Sequence, residues 1–517
     1  MSRMTWRPPA TTPTITSLVA IALALVLGAF AAGAQAAPPE QFQMIDLGTL
    51  GGPGPAAALA VNSSGQVVGS SSTSDPVPER HAFMWTQSEG MTDLGTLGGD
   101  FSAATDVNEL GQVVGNSDIP DGRTHGFSWT QAEGMVDFGT LGGAYSYAFD
   151  VNDNGQATGQ SSTASDDDHA YSWTQGGGMV DLGTLGGSIS RAFSINGHGQ
   201  IAGDSSTEDG DLHAFSWTQS GGMADLGTLG GSNSGAAAVN DSGQVVGSAE
   251  LVDGPRHAFS WTQAGGMVDL GTLGGPTSAA TAVNEGGQVV GVSTTTDGFV
   301  HGFSWTQADG MVDLGALNGT FAHPIDVSNG GQIVGWSTTA SSDDHAFSWT
   351  PDGGMIDLGT LGGASEARDV NENGQIVGYS FNADGVLRAV LWNPILHVAV
   401  SVSGKGRFNT ERNGQVLFTL SNDSVSFDRT RGERFSFAGE VASVTGSANE
   451  ATLTGTGTWN GKSGYAVEVS AVDTAAWGRL EDTIDVVIRD PEGGIAFTSL
   501  GPQLLKQGDI VVTSASS

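Results

Sequence analysis

Residues His257–Gly275 read HAFSWTQAGGMVDLGTLGG, and most of the chain is a variation on them. The Met-x-Asp-(Leu/Phe)-Gly core recurs at Met44, Met91, Met135, Met179, Met223, Met267, Met311 and Met355. The first interval is 47 residues and every later one is 44. The His-x-aromatic-x-Trp half keeps the same rhythm from His81 to His345, and a further copy is altered to Arg388-Ala389-Val390-Leu391-Trp392. A period of about 40–50 residues marks a propeller or a solenoid.

Each period holds four short runs of strand character. Ala148–Asn152 typifies the first and ends in Val-Asn. Asn152-Asp153-Asn154-Gly155 follows, with Asn first and Gly last, as a type I turn favours. Gln244–Gly247 typifies the second run, His257–Trp261 the third and Met267–Gly271 the fourth. Each is about five residues long between Gly, Asn, Asp or Ser, and four such antiparallel strands make a propeller blade. The phase of the repeat matters. Met44–Gly48 is a fourth strand without the preceding three, and residues 367–392 supply three strands with Asn393-Pro394 where the fourth would begin. Pairing the two ends removes both open edges. The expectation is therefore an all-β chain: an eight-bladed β-propeller closed by an N-terminal strand (residues 42–394), then a β-sandwich-like domain (395–517). An open solenoid is the alternative.

The recurring His-Ala-Phe, Leu-Gly-Thr-Leu-Gly-Gly and Val-Asn-x-x-Gly-Gln-Val-Val-Gly segments resemble the HAF-repeat family of bacterial secreted proteins over about residues 42–394. Arg388 and Gly315-Ala316-Leu317-Asn318-Gly319 depart from the pattern. The resemblance implies an extracellular repeat protein and transfers no catalytic residue. Beyond Ile395, the runs His397–Ser403, Val416–Leu420, Tyr465–Val472 and Ile484–Ile488 alternate as strands do, and seven to nine strands are expected. This segment, with Gly455-Thr456-Gly457 and Asp482-Thr483-Ile484-Asp485, weakly resembles small β-domains of secreted bacterial proteins.

Export is also read from the N-terminus. Arg3 and Arg7 form a positive region, Leu18–Phe30 an apolar one, and Ala34-Gln35-Ala36 a cleavage site. Residues 1–36 are expected to be a signal peptide and 37–41 a linker, with an uncleaved anchor as the alternative. Secretion is expected, with the periplasm or cell surface as alternatives. Removing the two arginines would take the net charge from −37 to −39. So acidic a surface repels phosphate backbones and anionic lipid, making nucleic acid and membrane surface poor partners; no other stretch is apolar enough to span a bilayer, so no nucleic acid and no membrane insertion after cleavage are expected. The chain has no cysteine, hence no disulfide framework and no thiolate chemistry.

The repeated histidines are read as structural. His257, Phe259 and Trp261 share a strand face, and pairing Trp261 with Met267 places Asp269 across from Phe259 and diagonal to His257. A ring needs such a tie in every blade, whereas catalysis needs one. Asp150–Gly155 and Asp369–Gly374 match half of a calcium loop but lack its closing acid. A hairpin turn explains all the sister copies, so no metal is assigned, with calcium left as the lesser alternative. Gly455–Ser463 fails the spacing of a phosphate loop. No cofactor and no catalytic residue is assigned.

The informative positions are those where the repeat refuses to repeat. Four residues before the Val of Val-Asn stand Ala57, Ala103, Tyr147, Arg191, Gly235, Ala279, His323 and Glu366; after the second strand, Trp336 and Tyr379 replace small residues. Tyr147, Arg191, His323, Trp336, Glu366 and Tyr379 form the expected ligand-binding patch, on loops of one rim that also carries acids such as Asp75, Asp118, Asp167 and Asp343. Neutral drift on an exposed rim is the plain alternative. The function expected is non-enzymatic binding or adhesion to an extracellular glycan or protein. The alternative is a polysaccharide lyase or hydrolase with an acid–base set in a central channel.

Overall fold

The computed structural model describes residues 41–74 and 79–395, and strands between 400 and 514. The expected signal peptide, most of the linker, and Asp75 lie outside the described residues. All regular elements among the described residues are β-strands.

The repeat folds into four-stranded antiparallel sheets in sequence order. In one unit, Gly230–Val239, Val245–Leu251, Arg256–Thr262 and Gly266–Asp269 are the four strands. Their register sets Val245 against Trp261, Phe259 against Asp269 and Trp261 against Met267. The first strand is ten residues rather than five, because the backbone after Leu-Gly-Gly already runs extended beside the second. The Val-Asn turn closes with Gly243 N–H donating to Asn240 O at 3.0 Å, and Gly243 takes φ +79°, a conformation that L side chains rarely adopt. The Gly of Val-Val-Gly has a different reason. A Cβ on Gly247 would lie 2.0 Å from the carbonyl oxygen of Gly235, so only glycine fits where strands one and two come this close.

The core lies between successive units. Ala202, Ala214 and Leu226 of one pack with Ala236, Val239, Val245 and Phe259 of the next. Ala258, Phe259 and Ser260 are all buried although adjacent residues face opposite sides, so both faces of the third strand are covered. Burying a phenylalanine such as Phe259 contributes about 1.5–3 kcal/mol. The recurring asparagine of Val-Asn (Ile-Asn at 195–196) ties unit to unit: Asn62 donates to Asn108 O, Asn108 to Asn152 O, Asn152 to Asn196 O and Asn196 to Asn240 O. Asn240 and Asn284 continue the chain to Asn284 O and Ser328 O, with donor–acceptor distances of 2.9 and 3.0 Å.

The last unit takes its fourth strand from the N-terminal end. Gln41–Asp46 pairs antiparallel with Leu387–Ile395, and Met44 opposes Trp392 as Met267 opposes Trp261. The same unit reaches the 51–95 unit: Asn371 donates to Asn62 O at 2.8 Å, and Val61 N–H to Asp369 Oδ2 at 2.7 Å. The described strands between 400 and 514 form one ten-stranded antiparallel sheet in which Gln507–Ser514 pairs with Val400–Asn409. Ten strands replace the expected seven to nine, since Ile495–Thr498 and Gln503–Leu504 are too short to register as alternating runs.

Candidate functional site

The histidine tie forms in every complete copy. The imidazole Nδ1 of His81, His125, His169, His213, His257, His301 and His345 lies 2.8–3.0 Å from the carboxylate of Asp93, Asp137, Asp181, Asp225, Asp269, Asp313 and Asp357 respectively. Where the repeat has Arg388, its Nε lies 3.4 Å from Asp46, so the tie survives with a different cation. Each aspartate also accepts the N–H two residues on, as Asp269 does from Gly271 at 2.8 Å, fixing the left-handed glycine. The expected geometry is observed, but the carboxylate is less buried than a repeated internal tie implies: the Asp269 side chain keeps 38% of its surface.

The six expected patch residues are not on loops. They sit within strands one and two, at facing positions: Tyr147 opposite Gln160, Arg191 opposite Asp204, His323 opposite Trp336, and Glu366 opposite Tyr379. The long first strand carries them into the sheet. The structure brings four together on the adjacent 318–357 and 362–395 units. Phe321, Trp336 and His323 stack, with Phe321 and Trp336 centroids 4.7 Å apart and the Phe321 and His323 planes 5° apart. His323 Nδ1 is buried without a hydrogen-bond partner among the described residues. Burial lowers the His323 pKa, Glu366 opposes that, and Arg368 reinforces it, so the neutral ring is favoured. Glu366 is held by the Tyr379 hydroxyl and the Arg368 guanidinium. Burial and Glu366 push the Tyr379 phenol up to about 12.

Tyr147 and Arg191 stand apart on the 142–181 and 186–225 units, and no described hydrogen bond, ion pair or ring contact joins them to His323. Arg191 makes a bidentate pair with Asp204 at 2.9–3.0 Å. Asp204 is 6% exposed, and its burial raises the carboxyl pKa against the opposing effect of Arg191. Tyr147 packs beside Tyr145, 5.5 Å between centroids. Sequence reasoning missed Phe321, Arg368 and Asp204. Phe321 lies two residues before His323 on the same strand face, but Phe101 and Tyr145 hold the same repeat position, so an aromatic there did not mark the site.

The acids of the half calcium loops have another use. Asp150 accepts the N–H of Ile195 at 2.8 Å and Asp369 that of Val61, each in the next unit. Asp106 and Asp326 do the same toward Val151 and Val370. They face one another in pairs: enclosure first, then Asp150, pushes Asp106 well above the usual carboxylate range, and enclosure, then Asp326, does so for Asp369. Enclosure and the neighbouring Asp150 thus favour the protonated form of Asp106. Among the described residues no group of three or more His, Asp or Glu side chains is arranged to hold a metal ion.

No family model matches the chain, and no curated protein matches it. Solved structures similar to parts of it include TolB from Acinetobacter baumannii, at 12% identity over 56% of this chain and 77% of that one, with a TM-score of 0.32. AofleA from Arthrobotrys oligospora is similar at 11% identity over 57% and 81% of the two chains, with a TM-score of 0.28.

Proposed function

We propose that the chain is an exported, non-enzymatic binding protein of the HAF-repeat type, built on an eight-bladed β-propeller closed by Gln41–Asp46, that engages an extracellular glycan or protein. The ring reading is supported by the strand pair between Gln41–Asp46 and Leu387–Ile395 and by the bonds from Asn371 and Asp369 to the 51–95 unit. One observation carries the binding reading: the Phe321–Trp336–His323 stack beside Glu366, with an imidazole nitrogen left unsatisfied. The nitrogen itself is closed to solvent, so a ligand would meet the half-buried ring faces of Phe321, His323 and Trp336. Binding is favoured over catalysis because both arginines at these positions are paired, Arg191 with Asp204 and Arg368 with Glu366. The test is a glycan and protein array probed with the mature chain, with released sugars measured in parallel. Retention lost in both Trp336→Ala and His323→Ala, without sugar release, is the expected result. Retention unchanged in both variants refutes the patch, and sugar release refutes the non-enzymatic reading.

A further inference from the structure

The turns joining strands one to two and three to four emerge at the opposite end of each sheet from the acidic loops, and grooves open there between successive units. Between the 186–225 and 230–269 units a groove of about 550 Å³ is lined by Trp261, Thr218, Ser242 and Asp241. Between the 230–269 and 274–315 units one of about 470 Å³ is lined by Trp305, Thr262, Ser242 and Glu285. Grooves also open at Trp85, where no carboxylate lines the space, and at Trp129, where Glu89 does. All four tryptophans occupy one repeat position, and each is only half-buried. Trp261 rests one side on Met267 and the core, leaving a rigid platform toward the groove. No lysine or arginine lines any of the four. Asp241 and Glu285 are fixed acceptors at the mouths, oriented by N–H bonds from Gly197 at 2.6 Å and Asp241 at 3.0 Å.

From this repetition we infer that the inter-unit grooves are subsites for neutral saccharide residues, so that one chain binds several at once. An indole face suits the C–H face of a sugar ring, while the fixed carboxylates and Ser and Thr hydroxyls accept its hydroxyl protons. The carboxylates and the lack of lysine and arginine disfavour uronates and sulfated sugars, although His198 lines the first groove 3.8 Å from Asp241. Volumes of 470–550 Å³ fall within the range of small-ligand sites. The molecule contains its own control: Trp173, at the same position, is 4% exposed because Phe138 stacks on it at 4.0 Å where sister units have Leu226 or Leu270. Weak subsites in an array gain avidity toward a polymer.

The inference rests on the reading of a glycan-binding protein and adds subsites for the glycan beyond the stack at His323 and Trp336. The test titrates the mature chain with neutral gluco-, manno- and galacto-oligosaccharides and with polygalacturonate, following tryptophan fluorescence and calorimetric stoichiometry at low and high salt. Expected are saturable binding of a neutral oligosaccharide with more than one site per chain, no salt dependence, and no polygalacturonate binding. The Trp261→Ala, Trp305→Ala double variant should bind the neutral oligosaccharide about tenfold more weakly or worse. Ser242→Arg, on an exposed turn bordering both grooves, should do likewise without touching the core. Loss only in Trp336→Ala, with both groove variants unchanged, overturns the subsites and leaves the stacked patch as the glycan site. Absence of binding by every neutral oligosaccharide overturns the subsites whatever Trp336 does on the array.

Discussion

Removal of the N-terminal strand tests the ring most directly. Phe42 and Met44 pack against the cluster containing Val390 and Trp392, and Ile45 against the one containing Leu47 and Leu391. Three half-buried side chains at about 1 kcal/mol each, half the full-burial value, give about 3 kcal/mol. Trp392, now wholly buried, would lose roughly 100 Å² of cover, worth about 2.5 kcal/mol at about 25 cal/mol per Å². The loss of about 5 kcal/mol is comparable with the net stability of an ordinary domain, and it leaves Leu387–Ile395 as an open edge. A chain beginning at Leu47 should therefore melt well below one beginning at Ala37, or aggregate. A synthetic peptide covering residues 37–47, added in trans, should restore part of the difference. Calorimetry and light scattering measure both. Equal melting temperatures and a monomeric profile for the shortened chain would refute the reasoning.

Three further outcomes are expected. Ser328 is the one break in the asparagine chain, since it replaces the residue that would donate to Asn371 O; Ser328→Asn should stabilise by about 0.5–1.5 kcal/mol in urea unfolding. Burial, with Asp150 beside it, holds the Asp106 carboxyl of the folded chain well above the ordinary carboxylate range, so its contribution to stability is full below the unfolded pKa and is lost as pH rises through the folded one. Each pH unit of that window is worth about 1.4 kcal/mol; Asp106→Asn should flatten this fall and be relatively more stable at about pH 8 than at about pH 4, read by urea midpoints at both. His257→Ala should cost no more than about 1 kcal/mol, because its half-exposed aspartate keeps water and the Gly271 N–H, whereas Asp269→Ala, which releases both, should cost more in the same melt.

The sequence by itself determined the period, the four strands per unit, the Trp261–Met267 register and the origin of the last unit's fourth strand. Each follows from alternation and turn chemistry, which are local, or from a count of strands at the two ends. The His257–Asp269 tie was legible for the same reason: a fixed register brings two strand positions together. Tertiary structure alone decided what passes between units. Nothing local in Asp150 says that its carboxylate serves the backbone of Ile195, 45 residues on, rather than a cation. Nor does Arg191 announce Asp204, because strand one's length, and so what faces it, depends on the neighbouring strand. The grooves beside Trp261 and Trp305 were invisible for a related reason. A repeated tryptophan reads as core, and only the stacking of one unit on the next decides whether a face stays open, as at Trp261, or is covered, as Phe138 covers Trp173.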